Sequence, residues 1–336
     1  MLTQQSYKGR KAQVRINGSM SRKFSMEQGL RQGGVLSMFH YTVFIDALVK
    51  KLEDLNCGVV IGNLKVSSPT VADDMALLSL WKPNLDKMLQ VCYDYSVQWG
   101  SEYGPNKSAI MVYGETKHER SVQREKRVFM LGSNIITEVD TYPHLGVQLH
   151  IDENNEKRTT DRIGKARREL NAMSCLGIRP GCLAPSVASG IYWKVCMPTM
   201  IYGAEVWYKK KSDIEQFELS HRAAAKRIQW LPQNTHNDAV LALIGWLNVE
   251  AAVDKRQLVF IGSMVRLPRN SFPRQVFEYR YLSSPNTGLV KQYMELLKMY
   301  SLKTDFDDWL YDKSDMTYNV WKKLVANRVK DYHYST

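Results

Sequence analysis

Two adjacent carboxylates, Asp73 and Asp74, stand in Thr70-Val71-Ala72-Asp73-Asp74-Met75-Ala76-Leu77-Leu78, flanked by β-prone and apolar residues. Two like charges in such a segment are costly to bury without a counter-ion. On a tight strand-turn-strand they project near one another, and hard oxygen donors of this kind suit magnesium, which also takes substrate phosphate and water. The competing reading is a solvated hairpin tip. A second pair, Asp307-Asp308, lies in a polar helical stretch and is expected only to face water. Upstream, Gly29-Leu30-Arg31-Gln32-Gly33-Gly34-Val35-Leu36-Ser37 joins closely spaced glycines, an amide side chain and a helix start, which lets backbone approach a nucleotide. A plain loop with a cap is the simpler alternative. Downstream, Gly104-Pro105-Asn106-Lys107-Ser108 sets a lysine just before a strand. Held near phosphate, such a lysine stabilises or protonates a leaving pyrophosphate, although most lysines only solvate a surface.

The elements that must position these groups follow from apolar spacing. Residues 1–150 read as mixed α/β and residues 151–336 as mostly helical. Alternation around Asn17-Gly18 predicts a hairpin, so the chain opens inside a strand pair and its beginning is expected to be missing. Phe39, Val43, Leu48, Leu52 and Leu55 predict a helix over 36–55, followed by a short β segment over 59–66. A helix is expected from an Asn84 cap to a Gly100 stop, then a strand over 108–113. The charged stretch 117–127 reads as a solvated loop leading to a hairpin over 128–149. In 157–174, Ile163, Ala166, Leu170 and Met173 share one face, while Arg158, Arg162 and Lys165 form a separate basic stripe able to meet phosphate. An exposed basic face without a partner is the alternative there. Further helices are predicted over 186–208, 213–230 and 248–266, the last capped by Asn248.

The 336 residues provide for two or three packed units. Lys and Arg number 46 against 34 acidic residues, a net charge of +12 that favours a polyanionic partner such as nucleic acid or an anionic membrane. No apolar stretch approaches the ~20 residues of a membrane span, and the start lacks a secretory signal, so a soluble intracellular protein is expected. The five cysteines show no C-x-x-C spacing and no zinc-ligand spacing with histidines, and read as reduced core thiols.

Taken in order, these segments resemble the reverse transcriptase of LINE-type, non-LTR retrotransposons. Residues Gly29 to Ser37 match that family's G-[LV]-R-Q-G-x-x-L-S-P block, with Phe44-Ile45-Asp46 where it often has Y-I-D. Ala72-Asp73-Asp74 matches the core of its [YF]-A-D-D signature, Lys107-Ser108 its later lysine block, and Tyr142-Pro143-His144-Leu145-Gly146-Val147 its primer-grip hairpin. Ile201-Tyr202-Gly203-Ala204-Glu205-Val206-Trp207 and the 222–232 stretch look like thumb and post-thumb segments.

The resemblance implies an α+β chain: a partial polymerase palm over 1–150 (antiparallel sheet with helices), an all-helical thumb over 151–235 and a post-thumb helical extension over 236–336. It implies an RNA-directed DNA polymerase using Mg2+, an RNA template, a DNA primer and dNTP, acting in the nucleus as a retrotransposon protein. Asp73 and Asp74 would be metal ligands and Lys107 would act at the pyrophosphate. Arg31, Gln32, Gly33 and Ser37 would lie near template base and nucleotide. Tyr142, Leu145 and Gly146 would support the primer end, and Arg158, Arg162 and Lys165 would contact the nucleic-acid backbone. Several departures stand against this. Val71 replaces the usual aromatic, Met38 the usual proline and Gly104 the expected asparagine. The family's first catalytic aspartate has no counterpart before Gly29, and two-metal phosphoryl transfer needs carboxylates that clamp both ions. The chain alone is therefore expected not to polymerise at an appreciable rate. A non-catalytic binder of RNA or RNA–DNA hybrid, and a helical remnant that binds another protein, are the competing expectations.

Overall fold

The computed structural model describes residues 9–335 apart from 27–28, 30–32, 153–154, 176 and 178–181. It is a mixed α+β chain in which helices predominate and the sheets are small. Among the described residues, no helix is long and apolar enough to cross a membrane. The chain divides into two compact units: Met1–Val59, Lys65–Pro105 and Met130–Ile135 form the first, and Val60–Leu64, Asn106–Phe129 and Ile136–Thr336 form the second.

In the first unit, β1 (Lys11–Ala12) pairs with β4 (Phe24–Ser25), and β2 (Arg15–Ile16) pairs antiparallel with β3 (Ser19–Met20). The β2–β3 turn is Asn17-Gly18 at φ +47° and +85°, the left-handed pair that a two-residue hairpin demands, as the sequence predicts. Helix α1 (Ser37–Asp54) packs on α2 (Lys82–Trp99), burying Leu48 and Leu52 against Met88, Leu89, Cys92 and Tyr95. The Tyr95 hydroxyl donates to the Phe44 carbonyl at 2.6 Å, and the two rings meet at 5.4 Å. Helix α2 ends at Gly100 (φ +60°), but it begins ahead of Asn84, with Pro83 in its first turn and Trp81 as the flanking residue. Proline lacks an N–H and so fits a helix's first turn, where that donor has no intrahelical partner.

The second unit holds β9 (Ala109–Ile110), which pairs in parallel with Thr137 and Glu138 at the end of β11 (Asn134–Glu138). Between them the expected loop is a helix, α3 (Lys117–Arg124), held by a capping box between Thr116 and Glu119. Its arginines make ion pairs: Arg120 to Asp152 at 2.7 Å, Arg124 to Glu138 at 3.2 Å, and Arg127 beyond the helix to Glu115 and Glu138. Strands β12 (Thr141–His144) and β13 (Val147–His150) form a four-pair antiparallel hairpin.

The remaining helices are α4 (Glu156–Ser174), α5 (Pro185–Lys194), α6 (Cys196–Met200), α7 (Lys211–Gln229), α8 (Asn237–Ile244), α9 (Val249–Val265), α10 (Phe272–Ser283), α11 (Gly288–Met299), α12 (Lys303–Leu310) and α13 (Tyr318–Ser335). The predicted 186–208 helix is broken at Val195 and gives way to a short 3-10 turn over Ala204–Val206. The Asn248 side chain caps α9 by accepting from the Ala251 amide at 2.8 Å. Two apolar clusters meet on α9: Val249 and Val253 join the cluster of α4 to α8, while Ala251, Leu258, Ile261 and Val265 join that of α10 to α13. Trp321 closes the second cluster, donating its indole N–H to the Leu258 carbonyl at 2.9 Å over Gly262. Among the cysteines Cys57, Cys92 and Cys196 are buried, whereas Cys175 and Cys182 are exposed rather than core thiols.

Candidate functional site

Asp73 and Asp74 are at a hairpin tip. Strand β7 (Thr70–Val71) pairs with β8 (Asp74–Met75), with Val71 opposite Asp74, and the ladder extends outward through Ala76 N–H to Pro69 and Leu78 N–H to Ser67. Ala72 takes φ +54° in the turn, a conformation that costs a non-glycine residue roughly 1 kcal/mol. Strands β7 and β8 pair only with each other among the described residues. Both carboxylates are exposed, and neither has a hydrogen-bond or ion-pair partner among the described residues. Water solvates both charges, as the reading of a solvated hairpin tip expects. Tyr41, on α1, senses this tip: burial first and then the Asp73 charge push its phenol above the ordinary range.

Two bare carboxylates are hard oxygen donors that fit one magnesium ion sharing its other positions with phosphate and water. No group of three or more metal-ligating His, Cys, Asp or Glu side chains occurs among the described residues. The described donors do not make a clamp on two ions. Of the upstream block, Arg31 and Gln32 lie outside the described residues; Gly33 is exposed at φ +76° and Ser37 opens α1.

The other candidates sit in the second unit, where several are brought together. Lys107 lies in a 3-10 turn before β9 with its side chain exposed, and its backbone carbonyl accepts from the Tyr142 hydroxyl. The β12–β13 turn is Leu145-Gly146 at φ +48° and +73°. Both of its carbonyls are tied to helical residues: the Tyr202 hydroxyl donates to Leu145 at 3.0 Å, and the Arg162 guanidinium donates to Gly146. Arg162 also stacks over the Tyr202 ring at 4.6 Å. One turn of helix away, Arg158 donates to the Gln148 carbonyl at 3.0 Å and stacks over Trp207 at 5.0 Å.

This geometry corrects the separate basic stripe. Arg158 and Arg162 are only 8% and 7% exposed and lie on the packed side of α4, while Lys165 alone of the three is exposed. Burial pulls both guanidiniums down from the ordinary arginine range. The physical reason is angular. At about 100° per residue, Arg162 is only about 20° around the helix from the apolar Met173, so any element covering that face also covers the arginines. Asp307 is likewise corrected: it accepts from the Tyr281 hydroxyl at 2.7 Å and from Lys303, so it is not merely solvated.

Sequence reading also missed a buried aromatic and imidazole cluster. His221 is fully buried, stacks on Trp246 at 4.8 Å, lies 2.9 Å from the Tyr192 hydroxyl and 3.1 Å from the Leu247 carbonyl. Burial drops its pKa to about 4. No local signal exposes it, because its partners lie far apart in sequence.

No protein-family model matches this chain. Over 145 residues it is 26% identical to the retrovirus-related Pol polyprotein from type-1 retrotransposable element R2 of Nasonia vitripennis. The match covers 42% of this chain and 14% of that polyprotein, so the similarity spans a small part of a much longer protein. The chain thus shares sequence with a retrotransposon polyprotein, a finding consistent with the resemblance its motifs carry.

Proposed function

We propose that this chain is a palm-and-thumb portion of a non-LTR retrotransposon reverse transcriptase, one that grips an RNA–DNA hybrid and polymerises poorly by itself. The observation that carries the reading is the Asp73-Asp74 hairpin: two adjacent exposed carboxylates at its tip, unpartnered among the described residues. The similarity to the R2 polyprotein supports the same reading. On it, Asp73 and Asp74 would hold a magnesium ion, whose chemistry when bound is to polarise a phosphoryl oxygen.

The other residues take supporting roles. Arg31, Gln32, Gly33 and Ser37 would face template base and nucleotide, and Lys107 would meet the leaving pyrophosphate. The β12–β13 turn, with Tyr142, Leu145 and Gly146, would steady the primer end. Lys165 would contact the nucleic-acid backbone, while Arg158 and Arg162 act indirectly by holding the hairpin. A non-catalytic hybrid binder is the second reading, favoured by the two-carboxylate donor set.

The test is anisotropy of the purified chain with a labelled RNA–DNA hybrid across a salt series, with primer extension run beside it. Hybrid binding that weakens linearly in log salt is the expected result, with little extension. Absence of hybrid binding at low salt overturns the proposal. Steady extension that Asp73→Ala abolishes overturns the poor-polymerase part of it.

A further inference from the structure

The second unit carries a groove of about 680 Å³ along α4 and α7, lined by Arg167, Lys226, Arg227 and Trp230 among others. Lys226 and Gln233 also line an adjoining cleft of about 520 Å³ that includes Arg222. Among the described residues, no lining residue of either is acidic. Groove and cleft together carry four lysine or arginine side chains, so their field is positive.

The bonding of those cations bears this out. Lys226 is only 8% exposed, and its ammonium donates to the Gln233 carbonyl at 2.7 Å. No carboxylate pairs with it among the described residues. An ammonium has three donors, and a buried charge is costly until it is paired. Arg227 is held by the neutral oxygens of Asn171, at 2.5 Å, and Ser174. Arg222 comes no nearer than 3.9 Å to Glu218, and its buried Nε makes no hydrogen bond. Glu218 is a poor counter-ion, since burial raises its pKa and its carboxyl already accepts from the Val249 amide.

The second component is an aromatic surface. Trp230 ends α7 at φ +60°, 45% exposed, in the left-handed position where helices usually place glycine. A tryptophan there exposes a flat indole beside the cations. Phosphates fit the cations and an unstacked base fits the indole, the combination by which proteins hold single strands without reading sequence. A base inside a duplex cannot reach such a surface.

We propose that this groove is a binding site for a single-stranded nucleic-acid segment, with phosphates at Arg167, Arg222 and Lys226 and a base on Trp230. It is a different site from the hairpins and needs no catalysis from them. The full chain is titrated against a fluorescein-labelled single-stranded RNA of about eight nucleotides and against an RNA–DNA hybrid, across a salt series. Trp230→Gly removes the indole while relieving the backbone, so its thermal midpoint should not fall. It should weaken single-strand binding about tenfold and leave hybrid binding within about twofold. Lys226→Met and Arg167→Gln should each lower the single-strand salt slope by about 0.7. An abasic oligonucleotide should bind the parent no better than the labelled RNA binds Trp230→Gly. Folded Trp230→Gly and Arg167→Gln variants that match the parent overturn the groove while leaving the hybrid reading intact. Equal losses for single strand and hybrid overturn it as well. A parent that binds neither nucleic acid overturns both.

Discussion

Replacing Arg162 by methionine separates a hairpin clamp from a phosphate contact. Methionine keeps much of the apolar stem but loses the bond to the Gly146 carbonyl and the stack on Tyr202. A hydrogen bond from a charged donor is worth about 1.5–3 kcal/mol, and the cation–π contact adds about 0.5–2 kcal/mol. Against this, methionine is cheaper to bury than a guanidinium whose pKa burial already depresses. Gly146 is exposed, so water takes over its carbonyl. The net expectation is a loss of about 1.5–3 kcal/mol in local hairpin stability, or an open population about 10- to 150-fold larger. Amide hydrogen exchange over Tyr142 to Leu149 reads this directly. A double-mutant cycle with Tyr202→Phe, which removes the companion bond to Leu145, should show coupling of at least about 0.5 kcal/mol, since both groups hold one turn. The hybrid-binding salt slope should be unchanged by Arg162→Met. Unaltered exchange with a slope lowered by about 0.9 refutes the reasoning, because that is the signature of a lost phosphate contact.

Lys165→Ala should give the reverse pattern: unchanged exchange and, in a hybrid-binding salt series, a slope lowered by about 0.9. His221 makes stability pH-dependent. Burial holds its folded pKa at about 4, below its ordinary 6.5, so on acidification the unfolded chain takes up a proton that the folded chain refuses. Stability present above pH 6.5 should therefore fall by about 3 kcal/mol as pH drops through 6.5 toward 4; urea titrations should show this slope in the parent and a flatter one in His221→Phe. Gly262→Ala gains about 1 kcal/mol of helix propensity, but its Cβ would lie 2.2 Å from Trp321 Cδ1. Overpacking costs about 1–3 kcal/mol, and both the buried Trp321 ring and the α9 backbone are poorly able to yield. A lowered thermal midpoint is expected, and a raised one would show that Trp321 repacks freely.

What the sequence disclosed was local. Asn17-Gly18, the Gly100 stop and the Asn248 cap were readable because each answers to the backbone within a few residues. The position of Asp73 and Asp74 was readable for the same reason, since a two-residue hairpin needs no distant partner. Their exposure stayed open between a metal site and a solvated tip, because it depends on which elements cover the tip. Arg158 and Arg162 were misjudged because charge suggests solvent, while their carbonyl and aromatic partners come from β13 and the Tyr202 and Trp207 region. For the helix over 117–124, the charge of its residues concealed a Thr116-x-x-Glu119 capping box that was present in the sequence. The Lys226 groove lay hidden for a third reason: that a buried cation has no carboxylate partner among the described residues is visible only when its surroundings are known.

The most direct test of the central claim uses ferrous iron in place of magnesium. With an RNA–DNA hybrid bound to the full chain and hydrogen peroxide and ascorbate added, ferrous iron held by Asp73 and Asp74 should reduce peroxide to hydroxide and hydroxyl radical, ascorbate returning the ferric ion to ferrous, and the radicals should cut the polypeptide nearby. Cleavage centred on Thr70 to Met75 is expected, lost in the Asp73→Asn/Asp74→Asn double variant while hybrid binding persists. A hybrid-bound chain without cleavage in this hairpin, or with cleavage that survives the double substitution, contradicts the account.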